Sequence, residues 1–511
     1  MNLILACLAL TTTALAQDDD WGDDDWGDDG DDVGFADAGP TSGPEEVSPW
    51  TLSGYLRTQE ALWINRLDTE PLGLSRQTAE LTVRYRKGAV TGVATGHGEI
   101  DPYYLTTDNY DDATRDVYGY LLQPRELFVA VEQGAFELSA GRQKVTWGEG
   151  VMISPVNVIN APDLRDPGTV DLSDARLPVT MLRASAFLGD HRLEVMLIPE
   201  ADFGLRSSPE GPFGPIPGIA AQADVPEFID VDDLLAQIDM SYEHNPGTFD
   251  AERGTYEQLD NRWSPGTWQY MARWGWRGRG VDLGVYGGRT LDKLGTIGTP
   301  EDSPNLIDPE LTEIAIPLNH ATYWIAGLSG AAAVKSVLFR WEGAAEINRP
   351  YNIGDIIAPT STGASFYTIV SANTVYTGML GVGYTGLPRT RIDVELSDGI
   401  VKDGGANLTF PVAQAQLAAR ASHSLMRERI ELVGLFAGMG LTLPGEDDSG
   451  AAQEFDMLQY GWFGSLSGSY ELADGLHGTL GYVTYHEGEE LSPLIGFNTH
   501  DRLFAQVRWY F

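Results

Sequence analysis

From Trp50 onward the apolar positions of the chain recur at every second residue, in short runs separated by turn-forming residues. Leu81, Val83 and Tyr85 interleave with Glu80, Thr82, Arg84 and Arg86. Leu127, Val129 and Val131 alternate with Glu126, Phe128, Ala130 and Glu132; Leu193, Val195 and Leu197 alternate with Arg192, Glu194 and Met196. Ile392, Val394 and Leu396 stand against Arg391, Asp393, Glu395 and Ser397, and the chain ends with Leu503, Ala505, Val507, Trp509 and Phe511 on one face. A period of two is a strand's period, with successive side chains on opposite faces. About eighteen such runs can be counted, with sixteen as the neighbouring even number. Their connections alternate between tight turns, such as Gly189-Asp190 and Arg279-Gly280, and long polar segments at about 101–122, 148–177 and 201–266.

Charges on one face of nearly every strand, with short and long connections in alternation, predict an all-β transmembrane antiparallel barrel. The short turns then face the periplasm and the long loops face outward. Within 201–266, the stretch Val225–Met240 spaces Phe228, Val231, Leu235 and Ile238 as on a short amphipathic helix, so this loop is expected to cap or enter the lumen. The loop from Ser154 to Asp174 is long enough to fold inward as a constriction.

Composition agrees. No segment reaches the 18 or so consecutive apolar residues of a membrane-spanning helix, while Gly (59), Tyr (21) and Trp (13) are plentiful, as turns and interfacial belts require. Residues 1–16 read as a signal peptide ending Ala14-Leu15-Ala16. They contain Cys7, the one cysteine, so disulfides and Cys-ligated metals play no part in the mature chain. The barrel then occupies 47–511. The net charge of −41 excludes a nucleic-acid binder that works by neutralising phosphates. Residues 17–46 hold eleven Asp and two Glu with no Lys or Arg, and repeat the pentad Asp-Asp-Asp-Trp-Gly twice. Such a segment is expected to be a disordered, self-repelling arm. A weak Ca²⁺ site there is the other reading, though the spacing of an EF-hand is lacking.

The run from Gly141 to Glu200 carries a family resemblance. It holds Gly141-Arg142-Gln143, Trp147-Gly148-Glu149, a loop from Asn157 to Asp163 continuing through Arg165 and Asp166, and a strand approach from Asp174 and Arg176 to Arg183. These resemble a little-characterised Gram-negative outer-membrane barrel family marked by a G-R-Q-x-x-x-W-G-E run. That family's Asn-Pro pair is Asn160-Ala161-Pro162 here. The resemblance implies a porin-like or exporter-associated role with organic or lipidic compounds and supplies no catalytic residues. Phe511, aromatic and last, resembles the signal read by the barrel-assembly machinery.

Extending the Phe136–Leu138–Ala140 face turns Arg142 and Lys144 toward lipid. They either sit beyond a register-flipping bulge or pair with lipopolysaccharide phosphates at the outer headgroups; alternatively Arg142 and Glu149 pin the loop to the wall. Lumen-facing cations by alternation are Arg84, Arg86, Arg183, Arg192, Arg273, Arg277, Arg340 and Arg508. The facing acids are Glu126, Glu132, Glu194, Glu342, Asp393 and Glu395. These charges either neutralise one another or set up a transverse field that orients polar solutes. No enzyme signature survives inspection: Gly381 to Gly386 fits G-x-G-x-x-G, but Leu387-Pro388 follows where a helix would have to start. Two functions remain, a channel for small polar or organic solutes and a loop-plugged, non-conducting binding or assembly component of a lipid or polysaccharide export system. Conductance separates them.

Overall fold

The computed structural model describes residues 48–169, 175–214, 238–300, 308, 310–354, 357–360, 363–366, 368–402, 408–409, 415–440, 445–446, 452–453, 460–488, 494 and 496–511. Its centre is a closed antiparallel sheet of 18 strands. In chain order they are β1 (Trp50–Trp63), β2 (Leu72–Lys87), β3 (Val90–Ile100), β4 (Tyr120–Gln133), β5 (Phe136–Gln143) and β6 (Val179–Leu188). There follow β7 (His191–Ile198), β8 (Gln269–Gly278), β9 (Val281–Leu291), β10 (Glu313–Val334), β11 (Val337–Ile353) and β12 (Ile369–Tyr384). The wall is completed by β13 (Thr390–Val401), β14 (Gln416–Leu425), β15 (Ile430–Met439), β16 (Gly461–Ala473), β17 (Leu476–Glu487) and β18 (Arg502–Tyr510).

Each strand pairs with its sequence neighbours, and β18 returns to β1, where Tyr510 faces Tyr55, Arg508 faces Arg57 and Arg502 faces Trp63. Phe511 prolongs this seam through two 3.0 Å backbone bonds to Gly54. No wall strand keeps an open edge, the condition for a sheet to stand in lipid. The tight turns gather at one end. At Arg279-Gly280 both residues have positive φ, 56° and 76°, the geometry a two-residue hairpin of the strand's own twist requires.

The faces are those expected from alternation. Leu56, Leu81, Val129, Val195, Val285, Leu380 and Leu480 stand exposed on the outside, whereas Arg57, His97, Glu194, Arg340 and Glu395 are buried on the inside. Toward the long-loop end the inner wall itself turns apolar. Met181, Met196, Met271, Met379 and Met439 are buried there under loop side chains. β10, at 22 residues, projects past the wall at this end. Its Glu313–Ala321 stretch pairs in parallel with an outer-loop strand, Asp239–Asp250.

Two details differ from the sequence expectation. The segment after β3 carries two short helices, α1 (Pro102–Thr106) and α2 (Asp112–Tyr118), each begun by an aspartate whose side chain accepts from the first turn. β4 consequently starts at Tyr120, inside the expected loop. The expected helix over Val225–Met240 lies mostly outside the described residues, and its end is not helical. Asp239 and Met240 open a strand, drawn out by pairing with Glu313 and Ile314 of β10.

Candidate functional site

The connection from β5 to β6, residues 144–178, folds into the barrel. Gly148, at φ 94°, turns the chain so that five consecutive N–H groups point at the inner wall. Those of Glu149 and Gly150 donate to Glu342 Oε1 on β11, at 2.5 and 2.7 Å. Those of Val151, Met152 and Ile153 donate to the Glu395 carboxylate on β13, at 2.7 to 2.8 Å. Ser154 Oγ adds a bond to Glu342 Oε2 at 2.9 Å. A loop has no ladder in which to place its N–H groups, so burial demands acceptors, and charged acceptors make the stronger bonds. Trp147 Nε1 donates to Glu194 Oε1 at 2.7 Å, and Lys293 Nζ donates to the Val158 carbonyl at 2.6 Å. Val145, Trp147, Val156 and Ile159 pack on the methionine-rich wall.

The same loop is held again on the other side of the barrel. Arg165 forks onto Asp163 (2.7 Å) and reaches Glu99 of β3 (2.9 Å). Asp166 takes Arg502 of β18, with Arg76 of β2 at 3.8 Å. Arg502 also donates to the Pro167 carbonyl at 2.7 Å. Burial pushes the Asp166 carboxyl up, but Arg502 and Arg76 outweigh it and hold it below its ordinary range. Thus residues 147–154 are fixed to β7, β11 and β13, and residues 163–167 to β2, β3 and β18. The loop spans the lumen between them.

The wall charges read from alternation therefore divide into two groups. Glu342 and Glu395 are occupied by the loop backbone. Glu194 takes Trp147 together with Arg183 (2.9 Å) and Arg192 (2.7 Å), and Asp393 takes Arg340 (2.8 Å) and Arg391 (2.7 Å). Toward the short-turn end, Arg84, Arg86 and Glu132 stand exposed on the inner face, and Arg277 pairs with Asp282 at 3.1 Å. Arg273 lies 5.7 Å from the centre of the Tyr286 ring, and Arg508 stands opposite Arg57. Glu126 accepts from the Lys144 amide at 3.1 Å, at the start of the inserted loop. Glu149 sits among Asp282, Arg273, Glu342 and Arg277; burial, with Asp282 adding to it, raises its carboxyl to about 7.

Arg142 behaves differently from two of its three sequence readings. Gln143 remains on the inner face, its amide oxygen accepting from Ser139 at 2.7 Å, so no bulge has flipped the register. Arg142 stays on the outer side of the rim and finds protein acids, Glu200 (3.3 Å) and Asp202 (2.8 Å), rather than requiring a lipid phosphate. The loop root it pins is that of 199–268, not the inserted loop. Arg176 faces the amide of Asn157, whose oxygen accepts from it when the amide is turned inward. Asp174 and the acidic arm with its Ca²⁺ reading lie outside the described residues. Sequence reasoning missed Arg76, Glu99, Arg502, Glu200, Asp202 and Lys293. The first three were signalled by alternation, which places them inside; the last three follow strand ends, where periodicity stops. Among the described residues no group of three or more His, Cys, Asp or Glu is placed to hold a metal ion.

A closed sheet, apolar outside and charged inside, is stable only with lipid around it. The chain is an integral protein of the Gram-negative outer membrane. A family profile described as "Protein of unknown function (DUF1302)" matches residues 76–196, a range that includes the whole connection 144–178 and both its flanking strands. No curated protein matches. Solved structures of similar architecture include OccAB3 of Acinetobacter baumannii, 10% identical, with 90% of this chain and 98% of that one covered and a TM-score of 0.44. OccD3 (OpdP) of Pseudomonas aeruginosa is 12% identical, with 91% and 92% covered and a TM-score of 0.45.

Proposed function

We propose that the protein is a porin-like channel for small polar or organic solutes, narrowed by the loop 144–178. The observation that carries this reading is the double anchorage of that loop across the lumen. An 18-strand wall generally encloses an aqueous channel, so its bore is set by what the loops leave open. Fixing a loop at both ends defines an aperture that does not collapse or swing away. The short-turn half keeps exposed arginines on its inner face, as a wetted lumen would.

The second reading, a plugged and non-conducting barrel, draws support from the apolar packing of outer-loop residues such as Tyr104, Phe213 and Met240 between the walls. Planar-bilayer recording decides between them. The channel reading expects steady conductance from the wild type, and a larger one from Glu342→Gln/Glu395→Gln, in which neutral amides hold the loop backbone less firmly. A silent wild type that remains silent in the double variant would leave the plug.

A further inference from the structure

The inner wall at the periplasmic half is lopsided. On β18 and β1 it is built of matched cross-strand rungs: Tyr510 opposite Tyr55, Arg508 opposite Arg57, Gln506 opposite Gln59. Arg508 carries its guanidinium 5.0 Å from the centre of the Tyr55 ring, and the buried Arg57 donates to Thr78 Oγ1 at 3.2 Å. Further toward the periplasm β2 adds Arg84 and Arg86, both exposed and on the same inner face. Like charges opposite one another in a sheet destabilise it. Arg508 and Arg57 meet as such a pair, and Arg84 and Arg86, further along the wall toward the periplasm, present two exposed guanidiniums to which a polyanion can bind.

A polyanion is tethered to this mouth. The Arg86 amide donates to the Pro49 carbonyl at 2.8 Å, and the Trp50 ring lies 4.6 Å from that of Tyr85. Pro49 and Trp50, to which the arm is joined in sequence, are thus held beside Arg86. Within it, residues 17–46 bring thirteen carboxylates and no cation, with Trp21 and Trp26 spaced among the aspartates. Carboxylates pair with guanidinium, and indole faces attract it. A random-coil polypeptide of about thirty residues averages roughly 30 Å end to end, comparable to the height of the wall. Tethering on that scale gives a local concentration of order millimolar.

We propose that the acidic arm, residues 17–46, docks on the arginine wall of β18, β1 and β2 inside the periplasmic mouth, as a tethered polyanion competing with anionic solutes. The competition rests on the channel reading; the docking does not. Deleting the arm removes no residue of the β1 ladder, which begins at Trp50.

The test uses a fluorescently labelled peptide of residues 17–46, titrated in detergent against the arm-deleted barrel and the full chain. Arg84→Gln/Arg86→Gln/Arg508→Gln is made in the arm-deleted barrel, and only preparations that keep heat-modifiability on a gel are compared. The peptide should bind the arm-deleted barrel at low salt and at least about tenfold more weakly at high salt. It should bind the triple variant about tenfold more weakly again, and the full chain scarcely at all, its own arm being in place. No binding to the arm-deleted barrel, equal binding to the full chain, or indifference to the triple substitution each overturns the proposal. In bilayers, deletion of the arm should raise the anion share of the current. If neither form conducts, the channel reading falls while the peptide titration still decides the docking.

Discussion

A carboxyl kept neutral up to about pH 7 is a charge held in reserve, and Glu149 is one, on the loop that crosses the lumen. Its ordinary value is 4.5, so between 4.5 and about 7 the unfolded chain carries this charge and the folded chain does not. The site therefore favours folding least above that window, and its penalty vanishes below it. For permeation the sign is direct. As pH rises through about 7 a carboxylate appears beside Asp282, and preference for cations should increase. Reversal potentials in a salt gradient, recorded below and above the step, should show the change in the wild type and a flat response in Glu149→Gln. Arg165 offers a second test. Replacing it with Met leaves Glu99 and Asp163 buried without its charge, at a cost of about 3–5 kcal/mol. Thermal loss of gel heat-modifiability should come at a lower temperature, with partial recovery in Arg165→Lys, whose single ammonium cannot fork onto both acids. An unshifted transition in Arg165→Met would show the loop's second anchor to be idle. Alternation in the sequence assigned Glu342 and Glu395 to the correct face but not to their partners. An acceptor for backbone N–H groups 192 to 244 positions away leaves no periodic trace, and charge counting suggests side-chain partners instead.

At the level of elements, strands were legible and loops were not. A wall strand is bounded by lipid on one face and by polar groups on the other, and that constraint writes itself as alternation. An inserted loop answers to its contacts alone. Hence Trp147-Gly148-Glu149 stood out as a motif without revealing that Gly148 is required because a Cβ there would strike Ser154 and the Glu342 carboxylate. Hence also the apolar spacing before Met240 suggested a helix where, at Asp239, strand pairing prevails. The seam between β1 and β18 supplies an element-scale prediction. The Phe511 ring lies across Gly54, and a Cβ on Gly54 would stand 2.9 Å from it and press on the Glu80 carbonyl. Gly54→Leu and deletion of Phe511 should therefore share a phenotype, slow insertion with periplasmic aggregates, visible as unfolded protein on gels without heating. Normal yield of both would deny the seam any part in assembly.

For the whole molecule, the net charge of −41 divides unevenly. Thirteen of those charges sit in residues 17–46, and the wall proposed to receive them exposes Arg84 and Arg86. Deleting the arm should leave the barrel folded and heat-modifiable, since the ladder of β1 starts beyond it, and should lower its thermal transition only by the loss of the docking contact, a difference that high salt removes. Loss of heat-modifiability in the deletion would make the arm structural. The closing pair, finally, fixes an order in time. Tyr55 belongs to the first strand and Tyr510 to the last, so the contact that completes the wall is also the one most separated along the chain. Loop closure over such a span is costly before it is rewarded. While β2 to β17 are being laid down, the free edge of β1 has to wait, and a catalyst that shelters that edge would shorten the wait without changing the final state.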